Sequence, residues 1–499
     1  MRIVALLLSA EVAVLPLRAI EPGEPCQPPN FPLPTFGGEK VSVRDFGAVG
    51  NGRTNDTDAI NHAIEKCTAS GGGDVVFPPG IYSAASIHLK SNVRFLLDDK
   101  ATITGAKTGY DPPEPNPFEK YQDFGHSHFH NALMWGDNVE NFGIFGGCVN
   151  GGALIEGEPN GRDIGDKVIS ITRGRNLQFE NITHQSGAHF VYLLNDCENV
   201  TIANVTIQKS RDAVNLVSCR NVQIHHCRFT GCGDDTVALK SDYALGRKID
   251  TENIYVWDCY LETASNALQF GAETIGDFRN VNFWNIRIGR AWKAAIGITC
   301  AGGSVIDNVN YRDITIKDAA CPLLLRVTDG LHVVTPNKTP GAIKNVKIAN
   351  LSATDCKLGD DGRPRACFIA GRPDLPVENV TIENVKIAWS GGTDGKEAAI
   401  EPWDLDTNRG LTRLPAAGFY IRHAKDLKLK DVTVAFEPTD QRPAVAAFDV
   451  DGLELNRLKI ANVHAAEKLR IEKVQRLTVR DCNGLRNRSE ETVQSTLKE

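Results

Sequence analysis

The sequence predicts an all-β fold, a right-handed parallel β-helix (a solenoid) with a short capping helix near its N-terminus. Short strands with apolar residues at every second position recur along most of the 499 residues. A polar residue and an Asn open each of them, and the first Asn-to-Asn steps are 23 and 22 residues. A repeat of that length, built from strands without helices, indicates coils stacked along one axis.

The N-terminal residues predict a signal peptide over 1–19, because one Arg precedes an apolar run that ends near small residues. A buried or disordered N-terminus is the alternative. A Pro- and Gly-rich lead-in follows, and then a helix capped by Asn55 or Thr57. Its apolar face is Ala59, Ile60, Ala63, Ile64 and Cys67. We expect this helix to close one end of the solenoid. Residues 20–485 then form one β-helix domain, and 486–499 form a polar tail.

The repeated Asn residues predict a ladder along the solenoid. Buried Asn side chains at matching turns of successive coils can satisfy one another's amides. Longer steps after the first two imply insertions between coils. The positions are Asn176, Asn199, Asn221, Asn253, Asn280, Asn308, Asn345 and Asn379.

Composition narrows the class of function. A net charge of −7 argues against a nucleic-acid partner, and no run beyond the N-terminus is long enough to cross a membrane. We expect a secreted or periplasmic monomer. Cys26–Cys67 and Cys356–Cys367 are possible disulfides, with small buried thiols as the alternative. The alternating His126, His128 and His130 suit either a metal site or, preferably, a loop lining a cleft. We expect no metal and no cofactor.

Three carboxylates within 207–241 carry the functional prediction. Asp212 precedes Asp235 by 23 residues, about one coil, and Asp234 adjoins Asp235. Stacked strands lie about 4.8 Å apart, so all three side chains should meet at one surface. Mutual repulsion disfavours such a cluster, and glycoside hydrolysis is a reason for it to exist.

Positions 13 residues after each repeated Asn predict a polar stripe up one outer face. That stripe is His189, Asp212, Asp234, Asn266, Lys293 and Cys321. A second stripe is predicted through Asn215, Lys240, Gln269 and Arg326. Solvated surface can also produce polar stripes, but two adjacent acids stacked on a third favour a site.

Four segments resemble glycoside hydrolase family 28, the polygalacturonases and rhamnogalacturonan hydrolases, which are right-handed parallel β-helices. They are VRDFGAVGNGRTNDTDAINHAIEKC, GIYSAASIHLKSNV, SRDAV with SCRNV, and GCGDDTVALKS. The resemblance covers roughly 41–385. It implies that Asp234 is the general acid, and that Asp212 and Asp235 hold and deprotonate the attacking water. An inverting hydrolase needs its acid and base far enough apart to leave room for that water.

The chain also departs from the family pattern. Asn266 stands where the family has a His, and Gly297 and Thr299 stand where it has a basic pair that grips a galacturonate carboxylate. Either another cation replaces the pair, with Lys293, Arg326 and Arg422 as candidates, or a neutral sugar lies beside the cut. The candidate substrate-binding residues are Lys240, Asn266, Gln269, Lys293, Arg326 and His189.

The expected partner is therefore a pectin-like polysaccharide or oligosaccharide. A polysaccharide lyase or epimerase, and a carbohydrate-binding β-helix without catalysis, are the alternatives. Aromatic residues at Trp135, Trp292, Trp403 and Tyr420 are candidate sugar platforms, whereas Trp257 and Trp284 are expected in the core. The insertions 106–135 and 390–418 could close one end of a groove.

Overall fold

A computed structural model describes residues 28–157, 163–328, 341–357, 365–390, 392–402, 413–463, 465, 467–493 and 497–498. The expected signal peptide at 1–19 lies outside the described residues, as do Cys26 and Trp403.

The described chain contains two α-helices and 34 strands. The helices are α1 (Thr57–Ala69) and α2 (Phe124–Ser127). The strands are β1 (Glu39–Ser42), β2 (Asn51–Asn55), β3 (Gly73–Phe77), β4 (Gly80–Ala84), β5 (Ile87–His88), β6 (Val93–Leu97), β7 (Ala101–Gly105), β8 (Ala132–Asp137), β9 (Glu140–Phe145), β10 (Cys148–Asn150), β11 (Lys167–Thr172), β12 (Arg175–Glu180), β13 (Thr183–Ser186), β14 (Phe190–Asn195), β15 (Glu198–Ala203), β16 (Thr206–Ile207), β17 (Asp212–Val217), β18 (Arg220–His225), β19 (Arg228–Cys232), β20 (Val237–Ser241), β21 (Thr251–Thr263), β22 (Leu268–Thr274), β23 (Phe278–Cys300), β24 (Val305–Lys317), β25 (Ala319–Val327), β26 (Ala342–Cys356), β27 (Cys367–Ala370), β28 (Val377–Trp389), β29 (Phe419–Asp440), β30 (Val445–Asn456), β31 (Lys459–Val463), β32 (Leu469–Arg480), β33 (Arg488–Val493) and β34 (Leu497–Lys498).

The strands stack coil upon coil, which confirms the predicted right-handed parallel β-helix. Strands β12, β15 and β18 pair in parallel, and Leu177, Val200 and Val222 are aligned in their register. These three side chains are fully buried. The period-two alternation therefore sends one set of side chains into a continuous apolar core and leaves the other set on the outer faces.

The predicted Asn ladder is continuous from Asn176 to Asn280, and Asn379 donates to Asn345, but Asn345 donates to Asp307 instead of Asn308. Asn199 Nδ2 donates to Asn176 Oδ1 at 2.9 Å, and Asn221 Nδ2 donates to Asn199 Oδ1 at 3.0 Å. All eight repeated Asn residues adopt positive φ, between 50° and 58°, a conformation that Asn tolerates better than most residues. The expectation that they are buried was wrong. They are half-buried, and Asn345 and Asn379 are exposed, because the left-handed turn lies at the edge of the coil.

Helix α1 closes the N-terminal end of the solenoid. Its buried side chains are Ile60, Ala63, Ile64 and Cys67, as the sequence predicts. Its N-cap is Asp56 rather than Asn55 or Thr57. The Asp56 carboxylate accepts instead from the backbone of Val49 at 2.7 Å and of Gly50 at 3.1 Å, so it fixes the preceding turn.

The described part of the polar tail, residues 486–493 and 497–498, covers the other end. Strand β33 pairs antiparallel with β32, with Leu477 opposite Glu490, and β34 adds a second antiparallel pairing. These are the two strands of the described chain that do not run parallel to their neighbours. Their pairing covers the exposed edge of the last coil.

The structure tests the expectations for three cysteines and two tryptophans. Cys67, Cys356 and Cys367 carry free thiols, so the buried-thiol alternative holds for them. Trp257 and Trp284 were expected in the core. Trp284 is buried, at 8% exposed, whereas Trp257 is half-buried, so the expectation was wrong for Trp257. Their rings stack 4.9 Å apart on an outer face, and Trp257 also stacks on His225. The distance between the rings matches the spacing of about 4.8 Å between stacked strands, so aromatic side chains at the same position of neighbouring coils stack on one another.

Two additions pack on the outer face formed by β14, β17, β20, β22, the C-terminal part of β23, and β25, called here the site face. The first is residues 106–131, whose Phe129 packs with Phe190, Leu193 and Val217. The second comprises 392–402 and 413–418. It lies over the C-terminal coils, where Arg442 Nη1 donates to the Ala416 carbonyl at 2.6 Å. The aspartates lie between the two additions.

Candidate active site

The coil pitch brings the three aspartates together, as the sequence predicts. Strands β17 and β20 pair in parallel with Val214 opposite Val237, which sets Asp212 beside Asp235. The backbone bond from Ala213 N to the Asp235 carbonyl, 3.0 Å, holds this register. Asp212 and Asp235 are 2% and 7% exposed, whereas Asp234 keeps 30% of its side chain exposed. The cluster therefore has two buried carboxyls and one that faces solvent.

The first predicted stripe is two adjacent rows. One row is Phe190, Asp212, Asp235, Asn266, Ala294 and Cys321. The other holds His189, Arg211, Asp234, Ser265 and Lys293, joined by backbone bonds such as Asp234 N to the Arg211 carbonyl at 2.8 Å. The prediction of a single row was wrong because the turn that leads into β20 is one residue longer than the turn that leads into β17: Ser210 still pairs with Cys232, but Val214 pairs with Val237. Asp212 lies 13 residues after its Asn and Asp235 lies 14.

The second predicted stripe also divides into two rows. Asn215, Ala238 and Gln269 share one row. Lys240 pairs with Val217, and Arg326 pairs with Thr299. These last positions lie two residues further along the strands on the same outer face. All four predicted residues are thus on the site face, and none is a solvated surface residue, since each is 7% exposed or less.

Burial and mutual repulsion raise the pKa values of the two buried carboxyls. For Asp235 burial is the main cause, Asp234 and Asp212 add to it, and the pKa rises to about 8. For Asp212 burial is again the main cause, Lys240 opposes it, and the pKa rises to about 6. At neutral pH the free protein therefore holds a proton on Asp235, while Asp212 is largely ionised.

Asp234 is surrounded by cations instead. Arg211 Nη2 lies 3.2 Å from one of its carboxylate oxygens, and Lys293 Nζ lies 4.0 Å from the other. Arg211 also contacts His189 Nε2. Burial and the Arg211 charge lower the pKa of His189 to about 2, so this imidazole is neutral. Sequence reasoning missed Arg211, although its position directly before Asp212 places it in the row of Asp234.

A buried polar network supports the cluster from the side of Lys240. Asn215 Nδ2 donates to Asp212 Oδ2 at 3.1 Å, and His126 Nε2 lies 3.4 Å from Asn215 Oδ1. Lys240 Nζ lies 3.2 Å from His126 Nε2 and 3.1 Å from Glu273 Oε2. Burial alone would raise the pKa of Glu273, but Lys240 and His126 lower it to about 2. Glu273 is thus buried, at 2% exposed, and paired with Lys240.

Two more predicted residues contact the cluster or its neighbours. Asn266 Nδ2 donates to Asp235 Oδ1 at 2.9 Å. Gln269 Nε2 donates to the Phe270 carbonyl at 2.7 Å, which leaves its buried Oε1 without a partner among the described residues. Gly297 faces that oxygen, since a Cβ at Gly297 would lie 2.1 Å from it. Asn266 therefore contacts the aspartate cluster directly, whereas Gln269 lies on the next coil and does not contact it.

The three alternating histidines have separate partners. His126 joins the Lys240 network, His128 Nδ1 lies 2.5 Å from the Glu114 carbonyl, and His130 stacks on Trp135. Ligand atoms of Asp123, His126 and Glu273 lie within 4.8 Å of one another. The Lys240 ammonium contacts both His126 and Glu273, so this donor set does not fit a metal ion.

A parallel β-helix that carries clustered acids on one outer face is suited to acid–base chemistry on a long chain. The family described as Glycosyl hydrolases family 28 matches residues 89–402. The chain belongs to this family.

Relatives on this fold have more than one function. The chain is 32% identical over 222 residues to "Plasmin and fibronectin-binding protein A" of Streptococcus pneumoniae, a match over 43% of this chain but only 27% of that protein. It is 23% identical over 406 residues to "Probable polygalacturonase" of Vitis vinifera, covering 74% of this chain and 78% of that one. A family 28 exopolygalacturonase of Yersinia enterocolitica superposes with a TM-score of 0.62 at 16% identity, covering 84% and 78% of the two chains. That superposition supports the fold.

Proposed function

We propose that the protein is an inverting glycoside hydrolase that cleaves pectin-like polysaccharides or oligosaccharides. The observation that carries the proposal is the asymmetry of the aspartate cluster. One buried carboxyl is protonated near neutral pH, one is largely ionised, and a third faces solvent beside two cations. Glycoside hydrolysis needs a proton donor and a base at the same moment, and carboxyls in different environments provide both.

The roles follow from where the proton lies. The resemblance assigns the general acid to Asp234, but the raised pKa places the proton of the free protein on its neighbour Asp235. We therefore assign the acid role to the Asp234–Asp235 pair, with Asp234 as its exposed member. Ionised Asp212 acts as the base that deprotonates water. Lys240 favours the ionised form of Asp212 and limits the rise of the Asp235 pKa.

The groups around the cluster suggest how a sugar is held. Lys293 keeps 63% of its side chain exposed beside Asp234 and can reach a substrate oxygen. Asn266 replaces the family His with a neutral donor to Asp235. The two additions flank the site face on both sides, which favours cleavage near a chain end. Product sizes from a long chain test this, because internal cleavage would release oligomers of many lengths from the start.

The decisive experiment compares Asp234→Asn with the wild type. We expect turnover of galacturonan or rhamnogalacturonan to be lost while the β-sheet circular dichroism is retained. NMR of the fresh product should show the anomer opposite to that of the substrate linkage. Asp99→Asn, at an exposed turn, is the matched control. Undiminished turnover in Asp234→Asn, or retention of the anomer, would remove the proposal.

The second candidate is carbohydrate binding without catalysis. Gly297 and Thr299 stand where the family has its basic pair, and this loss favours it. Oligosaccharide binding with no new reducing ends would support it. A lyase or epimerase would instead give unsaturated or epimerised products, sensitive to a chelator where Ca²⁺ is used.

We also propose that the mature protein is a secreted or periplasmic monomer with one catalytic domain over 20–485. Among the described residues, no helix is both long and apolar enough to cross a membrane. Mass spectrometry of the protein recovered outside the cytoplasm should find an N-terminus near residue 20. Light scattering should give the mass of one chain.

A further inference from the structure

His126 connects the first addition to the buried network beside the aspartates. It lies in α2, which packs so closely on the site face that a Cβ at Gly125 would be 3.0 Å from the Phe190 ring. His126 is 3% exposed, and its imidazole lies 4.9 Å from the same ring, measured between centroids. Its side chain is therefore part of the site face, although it belongs to the segment between β7 and β8.

The neighbours of His126 determine where its proton lies. Burial and the Lys240 charge lower the pKa of His126 to about 3, so the imidazole is neutral at pH 7. A neutral imidazole has one N–H and one acceptor nitrogen. The Lys240 ammonium, 3.2 Å from Nε2, can only donate. Nε2 therefore accepts from Lys240, and the proton is on Nδ1, which lies 3.7 Å from Glu273 Oε1.

This arrangement holds the Lys240 ammonium between two partners from different segments. His126 comes from α2, and Glu273, whose Oε2 lies 3.1 Å from Lys240 Nζ, comes from β22. The ammonium in turn acts on Asp212. Burial raises the pKa of Asp212 to about 6, and Lys240 is the group that opposes this rise most strongly. The ionisation of Asp212 thus depends on where the ammonium is held.

Other charged groups also face these side chains. Asp234, Asp235 and Arg211 act on Asp212, and Arg211, His189 and Asp123 lie near His126. Replacing His126 changes none of them, and it removes no charge because the imidazole is neutral. A change in the pKa of Asp212 after such a replacement therefore reports a change in the position of Lys240.

We propose that His126 is a positioning residue for Asp212 that acts through the Lys240 ammonium, so that the docked first addition is part of the catalytic machinery. The proposal rests on the proposed function, because it takes Asp212 as the base. Stability does not explain the network, since apolar side chains of similar volume often stabilise a core as well as a buried ion pair does. A charge fixed in place before the reaction begins does favour one protonation state of the base.

The test compares two replacements of His126. His126→Leu loses both nitrogens, whereas the amide of His126→Gln can accept from Lys240 and donate to Glu273. In His126→Leu we expect kcat to fall roughly 10- to 100-fold, the effect of one charge-assisted hydrogen bond, with KM little changed. The acid limb of kcat/KM, which reports the free base near pH 6, should move up by about one pH unit. His126→Gln should restore most of both.

Two further variants separate this role from mere docking of the addition. Phe129→Ala weakens the packing of the addition on Phe190 and Leu193 but leaves the Lys240 network unchanged. It should lower the melting temperature and leave the acid limb in place. His62→Leu, on the exposed side of α1, should change neither. The proposal is overturned by an unmoved limb in His126→Leu, by an equal shift in Phe129→Ala, or by a His126→Gln no better than His126→Leu.

A second measurement does not depend on turnover. The difference in unfolding free energy between a protein and its Asp212→Asn variant, followed over pH in urea, reports the folded pKa of Asp212. That pKa is raised from 3.8 to about 6, so the contribution of Asp212 to stability is full below about pH 4 and is lost as pH rises towards 6. In a His126→Leu background the upper end of this window should move to higher pH, and an unmoved window would overturn the proposal. If the window moves but the wild type hydrolyses nothing, the proposed function fails and the positioning of Asp212 by His126 stands.

Discussion

Replacing Asp235 by Asn should change the stability of the protein in a pH-dependent way. The pKa of Asp235 rises from its ordinary value of 3.8 to about 8, chiefly through burial and then through Asp234 and Asp212. The folded protein therefore holds a proton that the unfolded chain releases. The contribution of Asp235 to stability is therefore greatest below about pH 4 and is lost as pH rises towards 8, because the native state binds the extra proton in that window.

The magnitude follows from the width of that window. Each pH unit corresponds to about 1.4 kcal/mol, so ionising Asp235 in the folded protein costs roughly 6 kcal/mol by about pH 8 and roughly 4 kcal/mol by pH 7. Asn cannot ionise, and its Oδ1 can still accept the 2.9 Å bond from Asn266. Asp235→Asn should therefore be more stable than the wild type by an amount that grows from acid to alkaline pH.

Urea unfolding of both proteins at several pH values between about 5 and 9 measures this difference. Asp99→Asn, exposed and remote from the cluster, should show no comparable trend. A gap between Asp235→Asn and the wild type that is constant across the range would refute the reasoning. It would mean that Asp235 is already ionised in the folded protein, and the acid role of the Asp234–Asp235 pair would fall with it.

Two further predictions concern the ladder and the buried ion pair. Asn221→Ala loses its bonds to Asn199 and from Asn253 and places Ala at φ 57°, so the free energy of unfolding should fall by about 2–4 kcal/mol. Asn221→Gly, which accepts that backbone, should lose less, and equal losses in calorimetry would contradict this. Glu273→Gln leaves buried Lys240 unpaired and should cost about 3–5 kcal/mol near pH 7. Because the folded pKa of Glu273 is about 2 against an ordinary 4.5, this gap should be full above pH 4.5 and close as pH falls towards 2. Urea unfolding in acid would show an unchanged gap if the pairing were unimportant.

The fold could be predicted because its signals are local and repeated. Each coil shows the same alternation, and one misread strand would not have changed the result. The ladder followed from Asn at matching turns, such as Asn199 and Asn221. The meeting of Asp212 with Asp235 needed only the coil length, since strands one coil apart must lie side by side.

Rows and partners could not be predicted in the same way. One residue more or less in the turn between Cys232 and Val237 decides whether Asp234 or Asp235 is aligned with Asp212, and the length of a turn is set by how it packs. The contacts of Arg211 with Asp234 and of Lys240 with Glu273 join side chains from different coils. The protonation of Asp235 depends on burial, which follows from the packing of every neighbouring chain segment.

The solenoid also accounts for how the site could change its specificity without losing its chemistry. Inward side chains set the register, so outward positions can be exchanged one coil at a time. Thr299 stands where the resemblance expects a cation, and Arg326 is the next residue in the same row, one coil on. A cation moved by one coil is displaced by about 4.8 Å, while Asp212, Asp234 and Asp235 keep their places.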